Sequence, residues 1–284
     1  MTQMTEQQTN STQKSILSWL ILLAGVYAIL LSVGMVGSGF KEASGGSAGA
    51  KELFAFATNP FLALLIGILA TALVQSSSTV TSVIVGLVAG GLPIEAAIPM
   101  VMGANIGTTV TNTLVSLGHV RKKSEFRRAF AAATVHDFFN LMCVIIFLPI
   151  EIFFNIFEKA SAWLAGVMVD GDSMSMKGFN FIKPLTKPVI SEIKHFLDFL
   201  PDMAGAITLV GLGILAIFAS ITIIGRVLRG LMVGRAKKIL HGAIGRGPIS
   251  GIASGAVVTV LVQSSSTTTS LMVPLVGSGV FKPR

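Results

Sequence analysis

From Ile16 to Gly37 the chain is apolar and carries no charge, a run about as long as the roughly 20 residues a helix needs to cross a bilayer. Apolar runs recur at 129–154 and 203–225, and three more, 53–91, 93–117 and 247–280, are each interrupted by a short polar block. Charged residues make up only 12% of the chain and hydrophobic ones 52%, where a soluble domain carries about a quarter charged. That balance excludes a water-facing globular protein, a disordered chain and a coiled coil. The expected fold is an all-α integral membrane protein. The single cysteine, Cys143, allows no internal disulfide, and the polar stretch before Ile16 lacks the basic start of a cleaved signal peptide.

The basic residues give a net charge of +8, and their placement points to loops rather than to nucleic acid. Arg121, Lys122, Lys123, Arg127 and Arg128 stand between apolar runs, offset only by Glu125; Arg226, Arg229, Arg235, Lys237, Lys238 and Arg246 follow 203–225 with no acid among them. Short loops rich in Lys and Arg stay cytoplasmic, so 119–128 and 226–246 are expected inside and the charge-balanced 155–202 outside. With residues 1–15 as a disordered cytoplasmic N-terminus, 16–37 leads outward. Segment 53–91 then has to return to the outer side before 93–118 crosses inward. Parity makes 53–91 a re-entrant helical hairpin with its polar block near mid-membrane, and the same logic makes 247–280 a hairpin entering from the inside.

The polar blocks of these two hairpins are copies. Leu73–Leu92 (LVQSSSTVTSVIVGLVAGGL) and Leu261–Val280 (LVQSSSTTTSLMVPLVGSGV) agree at 13 of 20 positions with a constant offset of 188, an internal duplication. The spans before the two copies are oppositely oriented, so the expected result is an inverted-topology repeat, in which broken helices from each half meet at a midplane site of a secondary transporter. The organisation that follows is a first repeat over 16–154, an outer loop over 155–202 and a second repeat over 203–284.

Irregular backbone at membrane depth has to be buried in protein or line a wet cavity. Gln75, Ser76, Ser77 and Ser78, with Gln263, Ser264, Ser265 and Ser266, offer amides and hydroxyls that both donate and accept. A half-helix starting at such a break aims its N–H groups and positive dipole end at an anion; hydroxyls and unwound carbonyls suit a hard cation such as sodium. No Arg or Lys lies in any break. Ser and Thr also glue membrane helices together without binding anything, but a duplicated and inverted five-residue block favours a site. Gly103–Thr109 is a further break, where Asn105, Thr108 and Thr109 offer oxygens and the glycines permit either close ligand approach or helix packing.

Asp137 lies inside 129–154 with His136 and Asn140. An intramembrane carboxylate is expensive and usually functional, and Asn140, three positions on, shares its helix face. The readings open at this point are a sodium ligand set, a proton relay with His136, or a wet position near the cytoplasmic interface. Glu95 reads as an N-terminal first-turn acid, and the phenylalanines around 138–157 as lipid-facing or core. Enzyme readings are weak: there is no GxSxG, no metal-ligand Cys/His spacing and no nucleotide loop.

The two Gln-Ser-Ser-Ser blocks, Gly103–Thr109 and the run Phe126–Asn140 (FRRAFAAATVHDFFN) resemble the type II sodium-dependent phosphate cotransporters. The resemblance implies a symporter importing inorganic phosphate with sodium as the coupling ion and no other cofactor. It implies that Gln75, Ser76, Ser77, Ser78, Gln263, Ser264, Ser265 and Ser266 bind phosphate. Asp137 resembles the acid of electrogenic members, which carry an additional sodium, with Asn140 helping it; Asn105, Thr108, Thr109 and Thr269 complete the expected sodium ligands. The expected location is the cell inner membrane, multi-pass, with phosphate, sodium and lipid as partners, no nucleic acid, and a homodimer among the open assemblies. At the first repeat's spacing a second Gly-Asn-Ile-Gly-Thr-Thr-like break would begin near position 291, beyond Arg284, so the chain is expected to be a fragment or truncated product. The rival readings are a carrier of another small oxyanion and a non-transporting membrane subunit.

Overall fold

The computed structural model describes residues 2–46, 49, 52, 54, 59–170, 182–243, 247–262, 264, 265, 268, 269, 272, 273 and 276, and the regular elements among them are all helical. They are α1 (Thr2–Ala43), α2 (Pro60–Val74), α3 (Ser77–Gly90), α4 (Ile94–Gly107), α5 (Thr109–Leu117), α6 (Lys123–Phe154), α7 (Ile156–Asp170), α8 (Ile182–Leu197), α9 (Asp202–Ala243) and α10 (Pro248–Val262). Among the described residues, three stretches are long and apolar enough to cross a bilayer: Ile16–Ala43 of α1, the whole of α6, and Asp202–Leu228 of α9. These are the unbroken spans expected from the sequence. Phe138, Phe139 and Leu215 are each about two-thirds exposed (67%, 65% and 68%), an apolar exterior that suits lipid and not water. The protein is an all-α membrane protein.

Helices α2, α3 and α4 have 15, 14 and 14 residues, so each rises roughly 21–22 Å and falls short of the roughly 30 Å hydrocarbon core. They share one core, in which Ala63 of α2, Val80 and Ile84 of α3, and Ala96, Ala97 and Met100 of α4 are buried together. Close backbone approaches set the helix directions. A Cβ on Gly37 would touch Ala89 and one on Gly90 would touch Phe40, so α1 and α3 run the same way. Gly25 faces Ile224 and Gly39 faces Ala206, so α9 runs against α1. Gly67 faces Met100, Gly103 faces Leu64 and Gly107 faces Thr71, so α2 and α4 run parallel. Val115 of α5 packs on Ala129 and Ala133 of α6, while Thr113 reaches Asp137, which makes α6 antiparallel to α5. The basic turn before α6 and the basic end of α9 therefore both lie toward the face where α1 begins.

Helix extends further than the sequence pattern indicates. α1 already starts at Thr2, inside the stretch expected to be disordered, where no Gly or Pro interrupts it. α9 continues to Ala243 through the basic segment expected as a loop. Within 155–202, α8 lies along α1: Ile190 and Leu197 pack with Met35 and Leu209, the Tyr27 hydroxyl donates to the Leu185 carbonyl at 2.9 Å, and Lys194 pairs with Glu42 at 2.6 Å.

Candidate functional site

The first polar block breaks the chain more narrowly than its length suggests. Asn59 caps α2 by accepting from the Phe61 and Leu62 N–H groups at 2.9 and 3.2 Å, with Pro60 at the first helical position. The helix ends at Gln75, which is left-handed (φ 58°) and donates its N–H to Thr71 O at 2.7 Å; the Gln75 side-chain amide folds back on Ala72 O. Ser76 is extended, and its Oγ accepts from the Thr79 N–H at 3.3 Å and pairs with Thr79 Oγ1 at 2.8 Å, opening α3. Two residues thus make the reversal. Ser77 and Ser78 already belong to the first turn of α3, whose leading N–H groups have no partner within the helix. Gln75 and Ser78 are exposed, Ser76 and Ser77 half-buried.

At Gly103–Thr109 the structure corrects the expected unwinding. Gly103 to Gly107 stay helical, and the interruption between α4 and α5 is the single residue Thr108. The glycines serve packing: a Cβ on Gly103 would strike the Leu64 carbonyl oxygen, and one on Gly107 would fall 2.6 Å from Thr71 Cβ. Thr108 is buried and donates to Asn105 O at 2.6 Å; Thr109 begins α5.

Asn140 binds across helices rather than to Asp137. Its Nδ2 donates to Asn105 O at 3.1 Å and lies 3.2 Å from His136 Nε2, tying α6 to the end of α4. Asp137 accepts from Thr113 Oγ1 at 3.4 Å through Oδ2, while its Oδ1 is buried without a hydrogen-bond partner. One cluster therefore joins Asn105, Thr108, His136 and Asn140, with Thr113 and Asp137 beside it.

In the second copy, Gln263 and Ser266 lie outside the described residues. α10 ends at Val262; Thr268 donates through its hydroxyl to Ser264 O at 3.0 Å, and Thr269 to Ser265 O at 2.9 Å. Thr259 Oγ1 donates to Thr268 Oγ1 at 3.2 Å, holding the arms before and after the block side by side. Val273 packs on Ala129 and Ala133, about two turns and one turn from Asp137 along α6. Sequence reasoning missed Thr71, Asn112 and Thr113. Thr71 and Asn112 carried only the signal of a polar residue four positions from Gln75 and from Thr108, and Thr113, 24 residues from Asp137, carried none.

A family profile described as Na+/Pi-cotransporter matches residues 28–171 and 207–284, including both Gln-Ser-Ser-Ser copies and the α6 cluster. The chain belongs to that family. It is 31% identical over 329 aligned residues to sodium-dependent phosphate transport protein 2A of Rattus norvegicus, covering 92% of this chain and 51% of that protein. It is 51% identical over 138 residues to sodium-dependent phosphate transport protein 2B of Homo sapiens, covering 47% of this chain and 20% of that one. The chain thus spans about half the length of the rat cotransporter and a fifth of the human one. No solved structure matches it.

Proposed function

We propose that the chain supplies the substrate site of a sodium-coupled symporter that imports inorganic phosphate across the cell inner membrane by alternating access. The observation that carries this reading is the cotransporter-family match through both halves of the chain, 28–171 and 207–284. The basic face is cytoplasmic on the positive-inside rule. α2 starts from the opposite face and turns at Gln75–Ser76; the arm after Ser265 returns toward the basic face, where Val273 meets the start of α6. These directions support two hairpins entering from opposite sides, as an inverted repeat requires.

In this reading phosphate sits between Gln75, Ser76, Ser77, Ser78 and their copies Gln263, Ser264, Ser265, Ser266, facing the starts of two half-helices. Sodium takes oxygens from Asp137, Asn140, Asn105, Thr108, Thr109 and Thr269. Asp137 Oδ1, buried without a hydrogen-bond partner, is the group on α6 best suited to it. Each net positive charge carried inward gains about 2.3 kcal/mol per 100 mV, so divalent phosphate needs more than two sodium ions before the potential assists.

The test is uptake of radiolabelled phosphate by proteoliposomes holding the purified chain under an inward sodium gradient. Accumulation with sodium and none with choline is expected. No accumulation above protein-free vesicles rejects the proposal, and stronger competition by sulfate than by unlabelled phosphate reassigns the substrate.

A further inference from the structure

Among the described residues, two fully buried polar side chains have atoms without a hydrogen-bond partner. Asn112 and Thr71 are both 0% exposed; Asn112 leaves Oδ1 and Nδ2 without a hydrogen-bond partner, and Thr71 leaves Oγ1 so. An enclosed polar atom left unpaired carries its full desolvation penalty, and hydrocarbon offers no water to relieve it.

The duplication shows that the Thr71 hydroxyl is free for a specific reason. Its copy, 188 residues on, is Thr259, which donates to Thr268. The residue matching Thr268 in the first copy is Val80. The first copy has the hydroxyl but no acceptor for it at position 80. Helical threonines commonly bond the carbonyl four residues back, as Thr208 and Thr222 do here at 2.7 Å each; Thr71 does not. It lies against Gly107, immediately before the α4–α5 interruption.

Asn112 flanks the same interruption from the other side. Thr108, Asn112 and Ser116 follow one another at four-residue spacing on one face of the chain, exposed by 4%, 0% and 0%. The outer two bond to nearby carbonyls, Asn105 O at 2.6 Å and Thr113 O at 2.7 Å. Only the middle member of this buried stripe is unpaired.

We infer that Thr71 and Asn112 are oxyanion-binding residues of the site proposed above, and that Asn112 selects a protonated tetrahedral anion. This rests on that proposal. The Thr71 O–H and Asn112 Nδ2–H donate to bare anion oxygens, which no Arg or Lys in the breaks serves. Asn112 Oδ1 accepts from an anion that still carries a hydroxyl. Hydrogen phosphate and hydrogen arsenate have that hydroxyl at neutral pH; sulfate has none. A site whose acceptor is left unpaired by the wrong ligand rejects it strongly.

The test is equilibrium binding of radiolabelled phosphate to the purified full chain in sodium, with arsenate and sulfate as competitors, on variants checked for monodisperse elution and unchanged helicity. Thr71→Val and Asn112→Leu are expected to weaken phosphate binding about tenfold each, the value of one hydrogen bond to a charged ligand. Asn112→Leu should also narrow the preference for phosphate over sulfate. Thr259→Val, whose hydroxyl is already bonded within its hairpin, should leave phosphate binding within about twofold of wild type. If Asn112→Leu fails to fold, Asn112→Ala, which also removes both polar groups, carries the same expectation. Wild-type chain that binds no phosphate sinks the proposed function and this inference with it. Wild-type binding matched by Thr71→Val and Asn112→Leu overturns the inference alone, as does a loss confined to sodium affinity.

Discussion

Gly67 and Gly103 form a reciprocal crossing that positions the first break, and filling either one should displace it. A Cβ on Gly67 would strike the Met100 carbonyl oxygen, and a Cβ on Gly103 would strike that of Leu64. A methyl needs about 3.5 Å from a neighbouring heavy atom, and both would land well inside that distance on backbone that cannot rotate away as a side chain would. Alanine at either position therefore has to push α2 and α4 apart. Overpacking costs typically 1–3 kcal/mol; with backbone on both sides of the contact, about 3 kcal/mol is expected, or roughly a hundredfold in the population of the packed arrangement. The same displacement separates Thr71 from Gly107 and moves Gln75–Ser76 relative to Thr108. Gly103→Ala should lower the apparent melting temperature in detergent and cut sodium-driven phosphate uptake per inserted molecule. Gly166→Ala and Gly211→Ala, which meet nothing within 4 Å, should change neither. Gly103→Ala with both readouts at wild-type values would refute the reasoning.

Three further outcomes are expected. Asp137→Gly should leave phosphate uptake measurable in proteoliposomes but remove its response to an imposed potassium diffusion potential, a sensitivity of about 2.3 kcal/mol per charge per 100 mV; an unchanged voltage slope rejects the role given to Asp137. Glu151 is buried, and its carboxylate accepts from the Phe157 and Glu158 N–H groups at 2.7 and 3.1 Å, capping α7 where α6 ends. Glu151→Ala should therefore cost about 3 kcal/mol and Glu151→Gln, which keeps an acceptor, roughly half that, read as thermal stability with uptake per folded molecule unchanged. Phosphate affinity, measured by equilibrium binding, should rise with sodium, and sodium affinity with phosphate by the same factor; phosphate binding of equal strength in sodium and choline contradicts linked sites.

The spans were legible because length and charge decide them. A run such as Ile16–Gly37 has few folds open to it in lipid, and α1, α6 and α9 lie where the apolar runs do. The Gln-Ser-Ser-Ser break was legible in position but not in extent. Composition marks five polar residues, yet once Ser76 has capped α3 nothing prevents Ser77, Ser78 and Thr79 from being helical. Gly103–Gly107 shows the opposite ambiguity: glycines that permit unwinding also permit close packing, and only the neighbouring α2 decides between them. The α6 cluster was half legible. Helical spacing places Asp137 and Asn140 on one face, but their partners Thr113 and Asn105 stand 24 and 35 residues away, a separation that no local periodicity encodes. Thr71 and Asn112 were illegible for the same reason, because burial without a partner is a property of the packed helices.

The uncharged character of the breaks has an energetic consequence for the proposed transport. A helix N-terminus acts as roughly half a positive charge, so two of them offer about one charge, which divalent phosphate exceeds. A lysine would have closed that gap, but a fixed cation at membrane depth remains when the anion leaves, and the empty site must then bear it. Asn, Gln, Ser and Thr leave no such residue of charge. The balance has to arrive with the substrate, as sodium. Asp137 is the one fixed charge in the proposed sites, and its carboxylate lies in α6 beside the break rather than in it. A sodium ion bound there travels with its counter-charge on the protein instead of on the phosphate. In the proposed transport a neutral cradle that binds weakly without cations is therefore the condition for tight coupling, and the absence of basic residues from Gln75–Thr79 and Gly103–Thr109 would make phosphate movement depend on sodium.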